Sequence, residues 1–248
     1  MMRTFLFLSL LSISFLSFSQ DNVAYFLDKI STASSGSRID VNADGDTILV
    51  SEYNAKNVRL NTTQAFEKKY LGTPYFKNGW FKEKVLLEGG EPVEGLIAFN
   101  LEQNTLYYSK NKSTPSVELK PLEFRINGHN FSRYEDEIKG AGDYYYETLS
   151  YSEPMLLKLY DCKFIPSSSG VSTGYGSSNS SIYEGEFEKR ERFYLVVDNK
   201  MVLVSHKKSF LKNLGKYSET ASSIVKKDKL NMKKQGDILS LSKSLSEI

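Results

Sequence analysis

Cysteine and histidine are nearly absent from this 248-residue chain, which contains one cysteine and two histidines. Because Cys162 has no second thiol to pair with, no disulfide can form within the chain, and the core alone must stabilise the fold. His129 and His206 belong to no HExxH motif, so a zinc centre would need ligands scattered along the sequence. Phosphate-binding and dinucleotide-binding glycine motifs are also missing. We therefore assign no catalytic residue and no cofactor-binding residue from the sequence.

Long apolar runs are equally scarce. The longest, Phe5–Leu16, follows Arg3 and falls short of the roughly 20 residues that span a bilayer. Small residues precede Gln20, as signal-peptide cleavage requires. The pattern predicts a signal peptide at residues 1–19 and an exported domain at 20–248, with no transmembrane span after cleavage. The expected location is the periplasm or the cell surface, and the sequence does not distinguish the two.

Aromatic residues are abundant, with sixteen tyrosines and fifteen phenylalanines, a composition that favours strands. Asn127–Gly128 lies between two alternating apolar segments, which indicates a two-residue hairpin because a type I′ turn needs positive φ at both positions. Asp198–Asn199 is the centre of a second such pattern. The sequence predicts an α+β fold, rich in β-structure, with antiparallel sheets arranged as a sandwich or an open barrel and with C-terminal helices.

Helical spacing is found at Val23–Ile30 and again near the end of the chain, in two sets of apolar residues: Phe210, Leu211 and Leu214, then Ile238, Leu239, Leu241 and Leu245. We expect Asp237 to be the N-cap of the last helix, since an aspartate accepts hydrogen bonds from the free N–H groups of a first turn. Residues 166–181 are rich in serine and glycine. They predict a flexible loop, which is the point of division if the exported part has two domains.

Two segments carry a resemblance to known proteins: YLGTPYF at Tyr70–Phe76, and the ending that begins ERFYLVVDNKMVLVSHKKSFLKNL at Glu191. They resemble a group of exported proteins common in Bacteroidota, in which a β-rich body leads through a strand hairpin into lysine-rich helices. The resemblance extends over Tyr70–Leu245. It implies export and a β-rich body with a helical tail, and it carries over no active site.

The segment DVNADGD, which begins at Asp40, resembles the start of a calcium-binding loop. Asn42 and Asp44 fall on positions 3 and 5, and a glycine falls on position 6. Position 12 is Ser51 instead of an acid, and a strand pattern follows instead of a helix. A looser calcium site and a solvated turn both remain open; the candidate ligands are Asp40, Asn42, Asp44 and Asp46.

A second motif, G-x-S-x-G, occurs at residues 170–174, and Asp198 and His206 follow Ser172 in the order of an α/β-hydrolase triad. That chemistry needs the serine on a sharp turn between a buried strand and a helix. Here the motif lies in the segment rich in serine and glycine. We therefore do not assign a hydrolase.

A tyrosine cluster has a structural and a functional explanation, because tyrosines pack on sheets with the hydroxyl in water and also stack on sugars or bases. Its members are Tyr144, Tyr145, Tyr146, Tyr151 and Tyr160.

Charge is distributed unevenly along the chain. From Lys189 to Ile248 there are fourteen Lys and Arg against six Asp and Glu, a net of +8; since the whole chain carries +2, the remainder carries −6. The lysines of residues 226–234 form either a solvated helix face or a surface for an anionic envelope component.

These observations leave two classes of function. The first is a non-catalytic exported protein of the cell envelope that binds an envelope protein, a glycan or a lipid, and not nucleic acid. The alternative is a periplasmic enzyme that uses scattered carboxylates, since acid/base chemistry needs no more than a converging pair. The carboxylates considered for that role are Glu123, Glu135 and Asp136.

Overall fold

A computed structural model describes residues 34–57, 62–85, 92–111, 116–135, 137–167 and 182–248. The expected signal peptide, the expected helix at Val23–Ile30 and most of the serine- and glycine-rich segment lie outside these residues. The described part is rich in strands and ends in helices, so the predicted β-rich α+β class is confirmed. None of its helices combines the length and the apolar character needed to cross a membrane.

Thirteen strands in the described part of the chain form two sheets. In chain order they are β1 (Ser34–Val41), β2 (Thr47–Asn57), β3 (Thr62–Leu71), β4 (Phe81–Val85), β5 (Val93–Asn100), β6 (Thr105–Ser109), β7 (Val117–Leu119), β8 (Glu123–Ile126), β9 (His129–Arg133), β10 (Tyr145–Ser150), β11 (Met155–Pro166), β12 (Gly185–Val197) and β13 (Lys200–Leu203). Sheet A has the order β1-β2-β3-β12-β11-β10-β9-β8, with β13 also paired to β12, and sheet B has the order β4-β5-β6-β7. The pairing of β3 with β12 is parallel and short, and the other strand pairs are antiparallel.

The hairpin β11–β12 is the centre of sheet A and is paired from Met155 opposite Val196 to Pro166 opposite Gly185. The serine- and glycine-rich segment therefore connects two strands of one sheet. On its other side, β12 pairs with β3 at residues 185–186 and with β13 at residues 194–197. Among the described strands, the middle of β12 thus has a neighbour on one side alone.

Both predicted two-residue turns are confirmed. Asn127 and Gly128 have φ values of 48° and 83°, and Ile126 lies opposite His129. Asp198 and Asn199 have φ values of 49° and 55° between β12 and β13. Positive φ at both central residues gives the turn a twist that matches the twist of its strands.

Sheet B packs against one end of one face of sheet A, and the junction is rich in aromatic rings. Phe99 of sheet B contacts Phe124 and Phe131 of sheet A at centroid distances of 5.2 and 5.1 Å, both edge to face. Phe76, which follows β3, contacts Phe131 at 5.2 Å. Such pairs add about 0.5–1.5 kcal/mol each to the apolar burial.

Helices α1 (Lys208–Lys212), α2 (Ser218–Lys227) and α3 (Gln235–Ser246) pack against the other end of that face. The helices and sheet B lie on the same face of sheet A, because alternate residues of a strand point to the same face. Leu156 packs with the helices and Cys162 packs with sheet B, and both are even-numbered positions of β11. Leu157 and Leu159 point the opposite way and pack with the segment after β9. Polar side chains therefore fill the part of the face between the two apolar cores.

The expected N-cap of the last helix is wrong. α3 begins at Gln235 with Lys234 as its N-cap residue, and Asp237 lies inside the first turn. The Asp237 carboxylate instead accepts the backbone N–H of Asn231 at 2.7 Å. Gln235 and Gly236 adopt helical conformation before the aspartate, and the carboxylate provides the hydrogen-bond acceptor for a backbone N–H of the preceding turn.

Candidate functional site

The tyrosine cluster divides into buried and exposed members. Tyr145 and Tyr146 are each 2% exposed and belong to the cores, whereas Tyr144 is 49% and Tyr151 is 71% exposed. Each of the two exposed tyrosines lines an open, polar depression on the surface. An exposed aromatic ring offers an apolar face on which a ligand can stack, so these depressions are the candidate sites.

The larger one, called the Tyr144 pocket below, has a volume of about 450 Å³ and lies where the β5–β6 turn of sheet B meets β9 and β10 of sheet A. Its lining residues are Glu102, Gln103, Asn104, Thr105, Lys120, Arg133, Asp143, Tyr144 and Tyr145.

Asn104 fixes the two sheets to each other at this pocket. It has a left-handed backbone with φ 54°, which asparagine tolerates better than most residues. Its Nδ2 donates to the carbonyl of Asp143 at 2.7 Å, and its Oδ1 accepts the N–H of Tyr145 at 3.1 Å. The turn before it is closed by Asn100, whose Oδ1 accepts the N–H groups of residues 102 and 103. The pocket wall is therefore held by hydrogen bonds on both sides.

Arg133 forms the charged part of the pocket. Its Nη2 lies 2.5 Å from Asp143 Oδ1 and 2.9 Å from Glu135 Oε2. The guanidinium also lies 5.8 Å from the ring centroid of Tyr145, a cation–π distance. Burial raises the pKa of Tyr145 to about 12, and its hydroxyl donates to the carbonyl of Pro121 at 2.7 Å. The arginine is thus held in one orientation by two carboxylates and a buried ring.

The pocket combines both charge signs with amides. Lys120 and Arg133 balance Glu102 and Asp143, and the side chains of residues 103 and 104 add donors and acceptors. A ligand with many hydroxyl groups and no net charge suits such a lining, because each hydroxyl both donates and accepts. The exposed ring of Tyr144 offers an apolar surface beside these groups.

The second depression, with Tyr151, has a volume of about 350 Å³ and lies along the β8–β9 hairpin. Its polar lining comes from Lys84, Glu123, Arg125, Asn130 and Ser132. No hydrogen bond between these five side chains is found in the described part of the chain, so this surface is less fixed than the Tyr144 pocket.

A different group of ionisable residues lies on the polar part of sheet A between its two apolar cores. Glu147 is 7% exposed, and its carboxylate accepts from His129 Nδ1 at 2.5 Å and from the hydroxyl of Tyr160 at 2.7 Å. Burial, and then the Glu147 carboxylate, raise the pKa of Tyr160 above its ordinary value. The ring of Phe76 covers His129 and Tyr160 at 5.1 and 4.9 Å. We name these three polar residues, His129, Glu147 and Tyr160, the imidazole cluster.

Lys158 extends this polar region towards the helices. It lies opposite Glu147 on the neighbouring strand, and its side chain is 5% exposed. Its Nζ lies 2.9 Å from Glu191 Oε1, donates to Gln235 Oε1 at 3.1 Å, and lies 4.4 Å from the ring centroid of Tyr160. A buried ammonium needs such partners, because leaving it unpaired costs several kcal/mol.

The candidate calcium ligands lie in and beside the hairpin turn between β1 and β2. Asn42 Oδ1 accepts the N–H groups of Asp44 and Asp46 at 3.0 and 2.7 Å, and Asp40 Oδ1 accepts the N–H of Val41 at 2.8 Å. The Asn42 oxygen therefore already serves an Asx-type turn, and the Asp40 oxygen already accepts a backbone N–H. No group of three or more His, Cys, Asp or Glu residues placed to hold a metal is found in the described part of the chain. The calcium site stays a prediction.

The carboxylates considered for acid/base chemistry do not converge where they are described. Glu135 binds Arg133, Glu123 lies on the edge strand β8, and Asp136 lies outside the described residues. Ser172 of the G-x-S-x-G motif is also outside them, and Asp198, its expected partner, lies 3.7 Å from Lys216 Nζ. Burial raises the pKa of the Cys162 thiol to about 11, which makes a reactive thiolate unfavourable.

Sequence reasoning missed the contact between His129 and the side chain of Glu147. It also missed Asn104, Arg133 and Asp143. The weak signal for Asn104 was the turn motif around Gln103–Asn104, and nothing local linked that turn to Asp143.

Comparison with known proteins adds no identification: no family model, no curated protein and no solved structure matches this chain.

Proposed function

We propose that the protein is a non-catalytic, exported protein of the cell envelope that binds a glycan in the Tyr144 pocket. The observation that carries this proposal is the pocket lining, in which an exposed tyrosine ring lies beside two carboxylates, two cations and two amides. Among the partners that the sequence leaves open, a glycan fits best. A lipid acyl chain needs an apolar chamber, which neither tyrosine-lined depression offers.

The fixed geometry of the lining supports this choice. Asn104, Arg133 and Asp143 are held by one another and by Tyr145, so a bound sugar would not have to order them. A pre-organised site avoids the entropy cost of fixing side chains on binding. The balanced charge favours neutral sugars over uronic acids or phosphorylated sugars.

The test is a glycan screen with the mature protein, followed by calorimetry on the neutral oligosaccharide that binds. Tyr144→Ala removes the exposed ring and should weaken binding at least tenfold, which corresponds to about 1.4 kcal/mol. Tyr151→Ala is the matched control, because it removes the other exposed tyrosine of the cluster, which lines the second depression. Binding that survives Tyr144→Ala and is lost in Tyr151→Ala would place the ligand elsewhere. A screen without any binder would contradict the proposal.

The alternative, a periplasmic enzyme, is favoured by one observation, the imidazole cluster. Glu147 holds the Nδ1 side of His129, and no hydrogen bond to Nε2 is found in the described part of the chain. A carboxylate that orients an imidazole in this way is the arrangement of a general base. The alternative thus rests on Glu147 and His129 instead of Glu123, Glu135 or Asp136.

A comparison of the two histidines tests the enzyme alternative separately from glycan binding. Hydrolysis of a panel of glycosides and acyl esters would be compared between His129→Ala and His206→Ala, since His206 is exposed and shares the imidazole chemistry. Activity that is lost in the first variant alone, with a Glu147→Gln variant that shifts the pH profile, would favour the enzyme. Equal activity in both variants would exclude His129 as a general base.

A further inference from the structure

The stretch from the last turn of α2 to the start of α3 concentrates positive charge at one end of the helical part. Five of its residues are exposed lysines: Lys226, Lys227, Lys229, Lys233 and Lys234. None of their side chains has an ion pair or a hydrogen bond in the described part of the chain. We call these five residues the lysine turn.

The acidic neighbours of the lysine turn do not neutralise it. Asp228 is exposed and forms no ion pair within the described residues, and the Asp237 carboxylate is bound to the N–H of Asn231 at 2.7 Å. Two acids beside five lysines leave a net charge of +3 over residues 226–237. Elsewhere on the surface, lysines such as Lys82 and Lys216 bind carboxylates at 2.7 and 2.6 Å.

The backbone of the lysine turn is well fixed. Met232 is 8% exposed and belongs to the helical core, so its side chain holds the turn from inside. The N–H of Leu230 donates to the carbonyl of Val225 at 3.1 Å, and the N–H of Lys234 donates to the carbonyl of Asn231 at 2.9 Å. The charges are therefore presented on a rigid support instead of a loose tail.

One backbone position in the turn is unfavourable for a lysine. Lys229 has φ 51°, at the end of α2, where glycine is the usual residue. The side chain brings no contact that would offset this strain in the described part of the chain. A charged residue at this position adds to the positive surface at the expense of local stability.

We propose that the lysine turn docks the protein onto a lipid surface with anionic head groups. The apolar residues of the turn, Leu230 and Met232, pack inward, so the contact would be electrostatic without insertion into the bilayer. Each basic residue near an anionic leaflet strengthens binding about fivefold. The five lysines lie at the end of α2, just after it and just before α3, so their charges are spread along the chain and suit a broad surface. A single phosphate instead needs donors that converge on one point.

The experiment is co-sedimentation of the mature protein with vesicles of phosphatidylcholine, alone or mixed with phosphatidylglycerol. Replacing the five lysines by glutamine should lower binding to the mixed vesicles roughly three-thousandfold at about fivefold per lysine. The matched control replaces five other exposed lysines and gives the same net charge: Lys84, Lys110, Lys139, Lys163 and Lys200. Thermal unfolding of both variants checks that they are folded.

Binding to the mixed vesicles that is weakened by salt, lost in the first variant and kept in the control supports the proposal. Equal loss in both variants would show a net-charge effect and overturn it, as would absence of binding to the mixed vesicles. Binding to heparin without binding to vesicles would identify a soluble polyanion as the partner and would also overturn it. The Tyr144 pocket shares no residue with the lysine turn, so either proposal can fail alone.

Discussion

Removing the hydroxyl of Tyr160 tests whether Glu147 is a charged, hydrogen-bonded group inside the sheet. Tyr160→Phe keeps the ring and its contact with Phe76 at 4.9 Å, and it deletes the 2.7 Å hydrogen bond to Glu147. Because Glu147 is 7% exposed, water cannot easily replace the lost donor. A hydrogen bond to a charged group contributes about 1.5–3 kcal/mol, so we expect a loss of about 2 kcal/mol in the free energy of unfolding.

The matched control is Tyr146→Phe. It also deletes a buried phenol hydroxyl, which donates at 2.6 Å to a neutral acceptor, the carbonyl of Ala141. That loss should be about 1 kcal/mol. Urea unfolding measures both losses in the free energy of unfolding. In thermal unfolding, they correspond to decreases in Tm of about 4–8 °C for Tyr160→Phe and about 2–4 °C for Tyr146→Phe in a chain of this size. A loss for Tyr160→Phe no larger than that for Tyr146→Phe would refute the assignment of Glu147 as a buried carboxylate anion.

Three further predictions concern a left-handed lysine, a tightly packed glycine and three buried tyrosines. Lys229→Gly relieves the left-handed strain and should stabilise the protein by about 0.5–1 kcal/mol, whereas Lys226→Gly, which removes the same charge from α2, should destabilise it. Gly95→Ala should cost about 1–3 kcal/mol, because its Cβ would lie 2.7 Å from the carbonyl of Ser109; Gly236→Ala, with open space around it, should cost nothing. Burial raises the pKa of three tyrosines to about 12: Tyr70, Tyr145 and Tyr146. The folded state therefore holds these protons more tightly, and stability should be intact below about pH 10 and fall as the pH rises towards 12, as urea unfolding at several pH values would show.

The parts of the fold that could be predicted are those with local causes. Asn127–Gly128 and Asp198–Asn199 specify their hairpins because the turn needs two left-handed residues in succession. The register then follows without further information, as for Ile126 opposite His129. The apolar spacing near residues 210 and 238 likewise predicted helices that form.

The candidate sites could not be predicted in the same way, because their residues come from separate strands. His129, Glu147 and Tyr160 lie on β9, β10 and β11, and their contact depends on the register of three strands. Asn104 meets Asp143 across the junction of two sheets. Sequence spacing does not predict contacts between residues on separate strands, and it did not predict the parallel pairing of β3 with β12.

The half-paired middle of β12 has a consequence for solubility. An unpaired strand edge offers free N–H and C=O groups to the edge of another chain and promotes aggregation. The part of β12 between its contacts with β3 and β13 contains an uninterrupted run of charges, Glu188-Lys189-Arg190-Glu191-Arg192, flanked by Phe187 and Phe193. A second chain that approached this edge would have to remove water from several of these side chains at once. These charged residues therefore prevent copies of the folded protein from pairing edge to edge into extended sheets.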